Sequence, residues 1–298
     1  MSRWPEPPRL SASFYKAHGL GNDYLVFEEG DAWRAAPPAV RAVCHRHAGV
    51  GGDGIVALLA DRSGGAFRLR MFNPDGSEFE RSGNGLRVLA AYLAGELRAR
   101  SPYTVEVGGE RVTLEVHGRG GAAYDVSVAM GRARTGPEAV GLDPGALDAR
   151  GRIAGPAGEP HEVVPVSVGN PHLVVLVDPP DDAALARIGP HLVGHPALAH
   201  GANVQIAAPR PPSACDALVW ERGVGPTTAS GTSACAVAVA MVSRGLLAPG
   251  AIEVRMPGGS LEVTVSASLD VVLRAPVEEV CTGSLTPGFL AALEAPAR

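Results

Sequence analysis

Two apolar runs with helical spacing mark the chain, and each begins immediately after a Ser-Gly step. The first follows Ser82-Gly83-Asn84-Gly85 with Leu86, Val88, Leu89 and Leu93. The second follows Ser230-Gly231-Thr232-Ser233 with Cys235, Val237, Val239, Met241 and Val242. A serine ahead of such a run predicts a helix whose N-terminus it caps. After each run the pattern changes to alternation around a glycine turn. The segments are Tyr103–Val107, Gly108-Gly109 and Arg111–Val116, then Ile252–Met256, Gly258-Gly259 and Leu261–Val265, and each set predicts a hairpin. Upstream, Gly21-Asn22 and Gly169-Asn170 lead into Leu25-Val26-Phe27 and Leu173-Val174-Val175. Four correspondences in one order, with both Ser-Gly and Gly-Asn steps offset by 148 residues, predict a tandem duplication of one α/β unit.

The duplication bears on chemistry. A helix N-terminus presents free N–H groups and a positive dipole end, which together bind anions. Two copies facing one ligand would offer a carboxylate the same element from opposite sides, with one serine on each. Polar residues recur near these elements. Asn22 and Asn170 occupy matched places, as do Asn73 and Glu221, each one residue after an aromatic (Phe72, Trp220) and nine before the serine. Asn203 and Arg222 add an amide and a fixed cation. Amides, a carboxylate and a guanidinium suit a zwitterionic amino acid, with Arg gripping a carboxylate and Glu meeting an ammonium.

Composition narrows the class without changing that picture. The 298 residues are 46% hydrophobic, enough for two cores, and the formal net charge of −5 comes without any long basic cluster. Nucleic-acid binding therefore has no electrostatic support. The 38 glycines and 26 prolines are spread as turn punctuation. Four scattered cysteines, Cys44, Cys215, Cys235 and Cys281, fit reduced thiols in the cytoplasm better than a disulfide framework. The longest apolar stretch, Ala234 to Val242, is about half of what a membrane span needs.

Other motifs weigh little. Gly49-Val50-Gly51-Gly52-Asp53-Gly54 contains a Gly-x-Gly-x-x-Gly, but it follows a helical segment and precedes a strand, the reverse of the dinucleotide-binding order. The nine histidines include no His-Glu-x-x-His, and no metal site is expected.

The residues together resemble the diaminopimelate epimerase family. The matching segments are Phe14–Tyr24, Arg46–Gly54, Phe72–Ser77, Gly83-Asn84-Gly85, Gly169-Asn170-Pro171-His172, Asn203, Glu221-Arg222-Gly223, Gly231-Thr232, Ala234-Cys235-Ala236 and Pro257-Gly258-Gly259. The resemblance implies an α+β fold of two pseudo-symmetric domains, each a curved mixed β-sheet wrapped around a central helix, with the active site in the interdomain cleft. It places the domains at residues 13–129 and 130–274, with 275–298 packing back on the first and 1–12 as a flexible tail. It implies interconversion of LL- and meso-diaminopimelate without cofactor or metal, by two groups that exchange the α-proton. Asn22, Asn73, Asn170, Asn203, Glu221 and Arg222 would contact the substrate. The amides of Gly83, Asn84, Gly231 and Thr232 would hold its α-carboxylate, and His172 and Glu221 would assist the proton-transfer groups. The expected partner is a small amino acid, and a homodimer is compatible with this reading.

One departure matters. Where the family carries its two acid/base cysteines this chain has Ser82 and Ser230, and Cys235 matches a different cysteine of the motif. Pro226 stands at a position usually acidic in the family, and Ser233 replaces a usual glycine. A helix N-terminal thiol supplies thiolate at neutral pH, whereas a serine hydroxyl is a weak base until activated. Three readings follow. The serines work with His172 or Glu221 as activating base; or both cysteines of an epimerase have been replaced; or the chain is a diverged isomerase or a non-catalytic amino-acid binder.

Overall fold

The computed structural model describes residues 6–79 and 81–294. The chain divides into a first unit, Met1–Val128 with Pro276–Arg298, and a second, Ala129–Ala275.

In the first unit, Arg9–Gly19 and Asn22–Glu29 form an antiparallel hairpin. Its turn places both Leu20 and Gly21 at positive φ, and glycine takes that conformation without strain. The helix Pro37–Cys44 then carries the chain to Gly54–Leu58, which runs parallel to Asn22–Glu29, as a crossover connection allows. Phe67–Phe72 continues the sheet antiparallel to Gly54–Leu58, and Tyr103–Val107 and Glu110–Gly120 extend it. The helix Gly83–Gly95 follows the Ser82 cap and packs against Arg9–Gly19, Asn22–Glu29, Gly54–Leu58 and Glu110–Gly120. It is buried on most of its circumference, Gly83 through Ala91 without a break, as expected of a helix enclosed by a sheet.

The second unit repeats this order. Pro160–Ser167 and Pro171–Leu176 pair antiparallel, and the helix Asp182–Val193 leads to Asn203–Arg210, parallel to Pro171–Leu176. Ala214–Glu221, Gly250–Met256 and Gly259–Val265 complete the sheet. The enclosed helix is Gly231–Ser243, buried continuously from Ser233 to Met241. It touches every one of these sheet strands. The central helices, Gly83–Gly95 and Gly231–Ser243, correspond residue for residue at the offset of 148. The fold is thus α+β, two repeats of a mixed sheet around a central helix.

Two details differ from the sequence reading. Residues 1–5 of the expected tail lie outside the described residues, but from Arg9 onward the chain is a strand rather than a tail. Leu10 is fully buried opposite Trp33, and the Trp33 indole Nε1 donates to the Ser11 carbonyl at 3.0 Å. Apolar burial at Leu10 and a satisfied backbone acceptor anchor the segment. The second hairpin turns at Pro257-Gly258, because Gly259 already pairs with Met256. Gly258 cannot carry a larger side chain cheaply: its amide donates to Thr228 O at 2.8 Å, and a Cβ there would lie 3.0 Å from that same oxygen. This contact holds the segment that ends in Ser230.

Candidate active site

In the first unit, Ser82 caps its helix. Its backbone is extended, and its Oγ accepts the Gly85 amide at 3.1 Å. The Ser82 amide points to the Met71 sulfur at 3.3 Å. The Gly83 and Asn84 amides, at the first two helical positions, have no intrahelical acceptor within reach.

The Asn84 side chain is buried and turns away from solvent. Its Nδ2 donates to both the backbone oxygen and the Oδ1 of Asn22, at 2.6 and 2.8 Å, while its Oδ1 accepts from buried Arg87 at 2.9 Å. Asn22 in turn donates from Nδ2 to Asp53 Oδ2 at 2.9 Å. Asp53 also accepts the Asp23 amide, and Asp23 pairs with Lys16 at 2.9 Å and Arg46 at 2.8 Å. Burial alone would raise the Asp23 carboxyl, but hydrogen bonds from Arg46 and Lys16 outweigh it and hold the group below its ordinary value. Asn73 lies at the end of Phe67–Phe72, where its amide and Nδ2 close a turn onto Ser77. Nearby Cys44 is buried, and that burial with the negative charge of Asp23 and Asp53 pushes its thiol up to about 12.

The second unit places its polar groups differently. Ser230 has the same extended backbone but makes no side-chain cap bond, so the amides of Gly231, Thr232 and Ser233 have no intrahelical acceptor. Asn170 Nδ2 points to Thr232 Oγ1 at 3.5 Å. This pair corresponds at the offset of 148 to Asn22 and Asn84, with the direction of donation reversed. His172 Nε2 meets Asn170 Oδ1 at 2.9 Å, and its Nδ1 meets Gln205 Nε2 at 3.0 Å. Gln205 Nε2 also donates to Ser233 Oγ at 3.0 Å. His172, Gln205 and Ser233 are all fully buried. Burial, with the Arg222 charge acting in the same direction, pushes His172 down to about 3, so its imidazole is neutral near pH 7.

Asn203 lies beside His172 in the parallel strand pair, and its Oδ1 accepts the Arg222 amide at 2.9 Å. Glu221 ends the strand Ala214–Glu221, while the exposed Arg222 donates from Nη1 to the His200 carbonyl. The Ser230 hydroxyl makes no cap bond, and both ring nitrogens of His172 are engaged by Asn170 and Gln205.

The structure thus gathers Ser82, Gly83, Asn84 and Asn22 at one helix end. It gathers Ser230, Gly231, Thr232, Asn170 and His172 at the other, with Asn203 and Arg222 joined to each other. Sequence reasoning missed Gln205, Asp23, Asp53, Lys16 and Arg46 as supporting groups. A signal existed for Gln205: it is the lone polar residue within Val204–Ala208, a run otherwise apolar, and buried polar groups demand partners. Each helix N-terminus can present amides and a hydroxyl to an anion.

A family model described as diaminopimelate epimerase matches residues 14–136 and 164–278. The diaminopimelate epimerase of Desulforudis audaxviator is 39% identical over 274 residues, covering 91% of this chain and 98% of its own. That of Geobacillus thermodenitrificans is 36% identical over 286 residues, with 91% and 95% covered. Among solved structures, a predicted epimerase from Pseudomonas aeruginosa superposes with TM-score 0.66 at 22% identity, covering 92% of this chain and 99% of its own. A hydroxyproline epimerase from Agrobacterium vitis does so with TM-score 0.64 at 16% identity, with 96% and 92% covered.

Proposed function

Because the chain belongs to the diaminopimelate epimerase family, we propose that it binds diaminopimelate and exchanges its α-proton without a cofactor, slowly. The observation that carries this reading is the matched pair of Ser-capped helix N-termini, each with first-turn amides that lack an intrahelical acceptor. In the proposal, the amides of Gly83, Asn84, Gly231 and Thr232 hold the α-carboxylate. Arg222 and the amides of Asn22, Asn73, Asn170 and Asn203 engage the remaining polar groups, and Glu221 meets an ammonium. Ser82 and Ser230 occupy the two proton-transfer positions: one accepts the α-proton while the other donates to the opposite face of the carbanion. We place this reaction in the cytoplasm, where four free cysteines would stay reduced.

Slow turnover follows from the hydroxyls themselves. A positioned general base is worth roughly 10²–10⁴ in rate, and an alcohol, far less acidic than a thiol and a weak base until activated, supplies little of it. Ser82 is the weaker of the two, since one lone pair of its oxygen already accepts the Gly85 amide. The test is deuterium incorporation at the α-carbon of LL-diaminopimelate in D₂O, alongside binding calorimetry. Measurable binding, slow exchange, and exchange faster by at least about 10² in the Ser82→Cys/Ser230→Cys double variant are the expected results. A double variant that neither binds nor exchanges diaminopimelate would overturn the substrate assignment.

A further inference from the structure

The buried amide of Gln205 bears on how the N-terminus of Gly231–Ser243 meets a ligand. Its Nε2 carries two hydrogens, and both are used, one on His172 Nδ1 and one on Ser233 Oγ, each at 3.0 Å. Its Oε1 is buried with no partner among the described residues. The opposite orientation of the amide would strand two N–H donors instead of one carbonyl oxygen, a worse arrangement for a fully buried group. The donor therefore faces His172. An imidazole nitrogen that accepts carries no proton, so in the neutral ring the proton sits on Nε2. Nε2–H then donates to Asn170 Oδ1 at 2.9 Å, and this leaves Asn170 Nδ2 directed toward Thr232 Oγ1. The direction of every bond in the chain follows from the first.

We infer that Gln205, steadied by Ser233, is a positioning residue that locks His172 as the Nε2–H tautomer and so aims the Asn170 Nδ2 donors at the N-terminus of Gly231–Ser243. The side chain best placed to meet an anionic ligand there thus presents hydrogens rather than an oxygen. His172 serves as a neutral relay, with both nitrogens occupied inside the protein, and does not take the substrate's proton. The first repeat has no counterpart to this device: by strand register and helix position, the residues equivalent to His172, Gln205 and Ser233 are Tyr24, Val56 and Gly85. There the Asn22–Asp53 bond and Asn84 set the loop amide instead.

The effect on ligand affinity rests on the proposed binding of diaminopimelate, whereas tautomer control does not, and the two are measured separately. ¹⁵N-histidine long-range correlation spectra of the ligand-free protein should show His172 protonated at Nε2 alone, unchanged from pH 5 to 8. Gln205→Glu offers only acceptors, so Nδ1 should become protonated and calorimetric affinity for diaminopimelate should fall by about tenfold, one hydrogen bond's worth. Should that buried carboxylate prevent folding, Gln205→Met is the deciding variant: it removes both donors, and a mixture of tautomers should appear. A His172 protonated at Nδ1 in the unaltered protein, or a Gln205→Met protein that keeps pure Nε2–H, would overturn tautomer control. Tautomers that respond as described, in a protein that does not bind diaminopimelate, would refute the proposed substrate and leave the positioning role standing.

Discussion

Replacing Ser82 by alanine should destabilise the first unit, while Ser230→Ala should be almost silent. The two serines look alike in sequence, and both sit in extended backbone ahead of a helix. Only Ser82 closes a cap bond, from the Gly85 amide at 3.1 Å. Loss of a serine cap costs about 0.5–2 kcal/mol. Here the upper half of that range applies, because Gly85 is buried in a tight site where a Cβ would lie 3.2 Å from Tyr24 and 3.3 Å from Met71. Water cannot easily replace the lost hydroxyl, and an unsatisfied buried donor costs about 1–3 kcal/mol. A loss of about 1.5 kcal/mol should lower the melting temperature by roughly 3–6 °C for a unit of this size. Ser230→Ala removes no cap bond and should shift it by less than about 1 °C. Thermal unfolding followed by circular dichroism, with urea titration for the free energies, compares the two. Equal losses in both variants, or a larger loss for Ser230→Ala, would refute the asymmetry.

Three further outcomes follow from the same contacts. Gly19→Ala places a Cβ 2.1 Å from Asn84 Oδ1. It should cost about 2–4 kcal/mol, read from urea unfolding, and a neutral substitution would show that Asn84 is not held as described. Asp23 has a folded-state pKa below its ordinary value, so its contribution is present above that value and is lost as pH falls below about 4. Lys16→Met removes one of its partners and should move the acid-unfolding midpoint to higher pH; an unmoved midpoint would remove Lys16 from the account. In Ellman's titration of the native protein only the exposed Cys281 should react promptly, with Cys44, Cys215 and Cys235 buried and reacting after denaturation. Burial, chiefly, also pushes Cys215 up to about 12.

Much of the fold was legible because its signals are local. An N-cap serine followed by apolar helical spacing identified Gly83–Gly95 and Gly231–Ser243, and the recurrence of those signals exposed the repeat before any contact was known. The strand at Arg9 was missed because Leu10 is a single apolar residue in a polar and proline-rich stretch, and only Trp33 across the sheet gives it a reason to order. The polar residues around the helix ends could be named, but their partners could not. Asp23 and Asp53 are 30 residues apart, and His172 and Gln205 are 33 apart. Sequence spacing carries no information about which of them meet.

By itself, then, the amino-acid sequence determined the doubled α+β architecture, the two helix N-termini and the serine at each, since caps and periodicity act within a turn or two of the chain. Tertiary structure alone decided what those groups can do. It made one serine hydroxyl an engaged cap and left the other without a cap bond. It buried His172 completely, which removes its charge, and set Gln205 against it, which fixes where its proton sits. Protonation and hydrogen-bond direction depend on solvent access and on partners brought in by distant strands, and those exist only once the chain has folded.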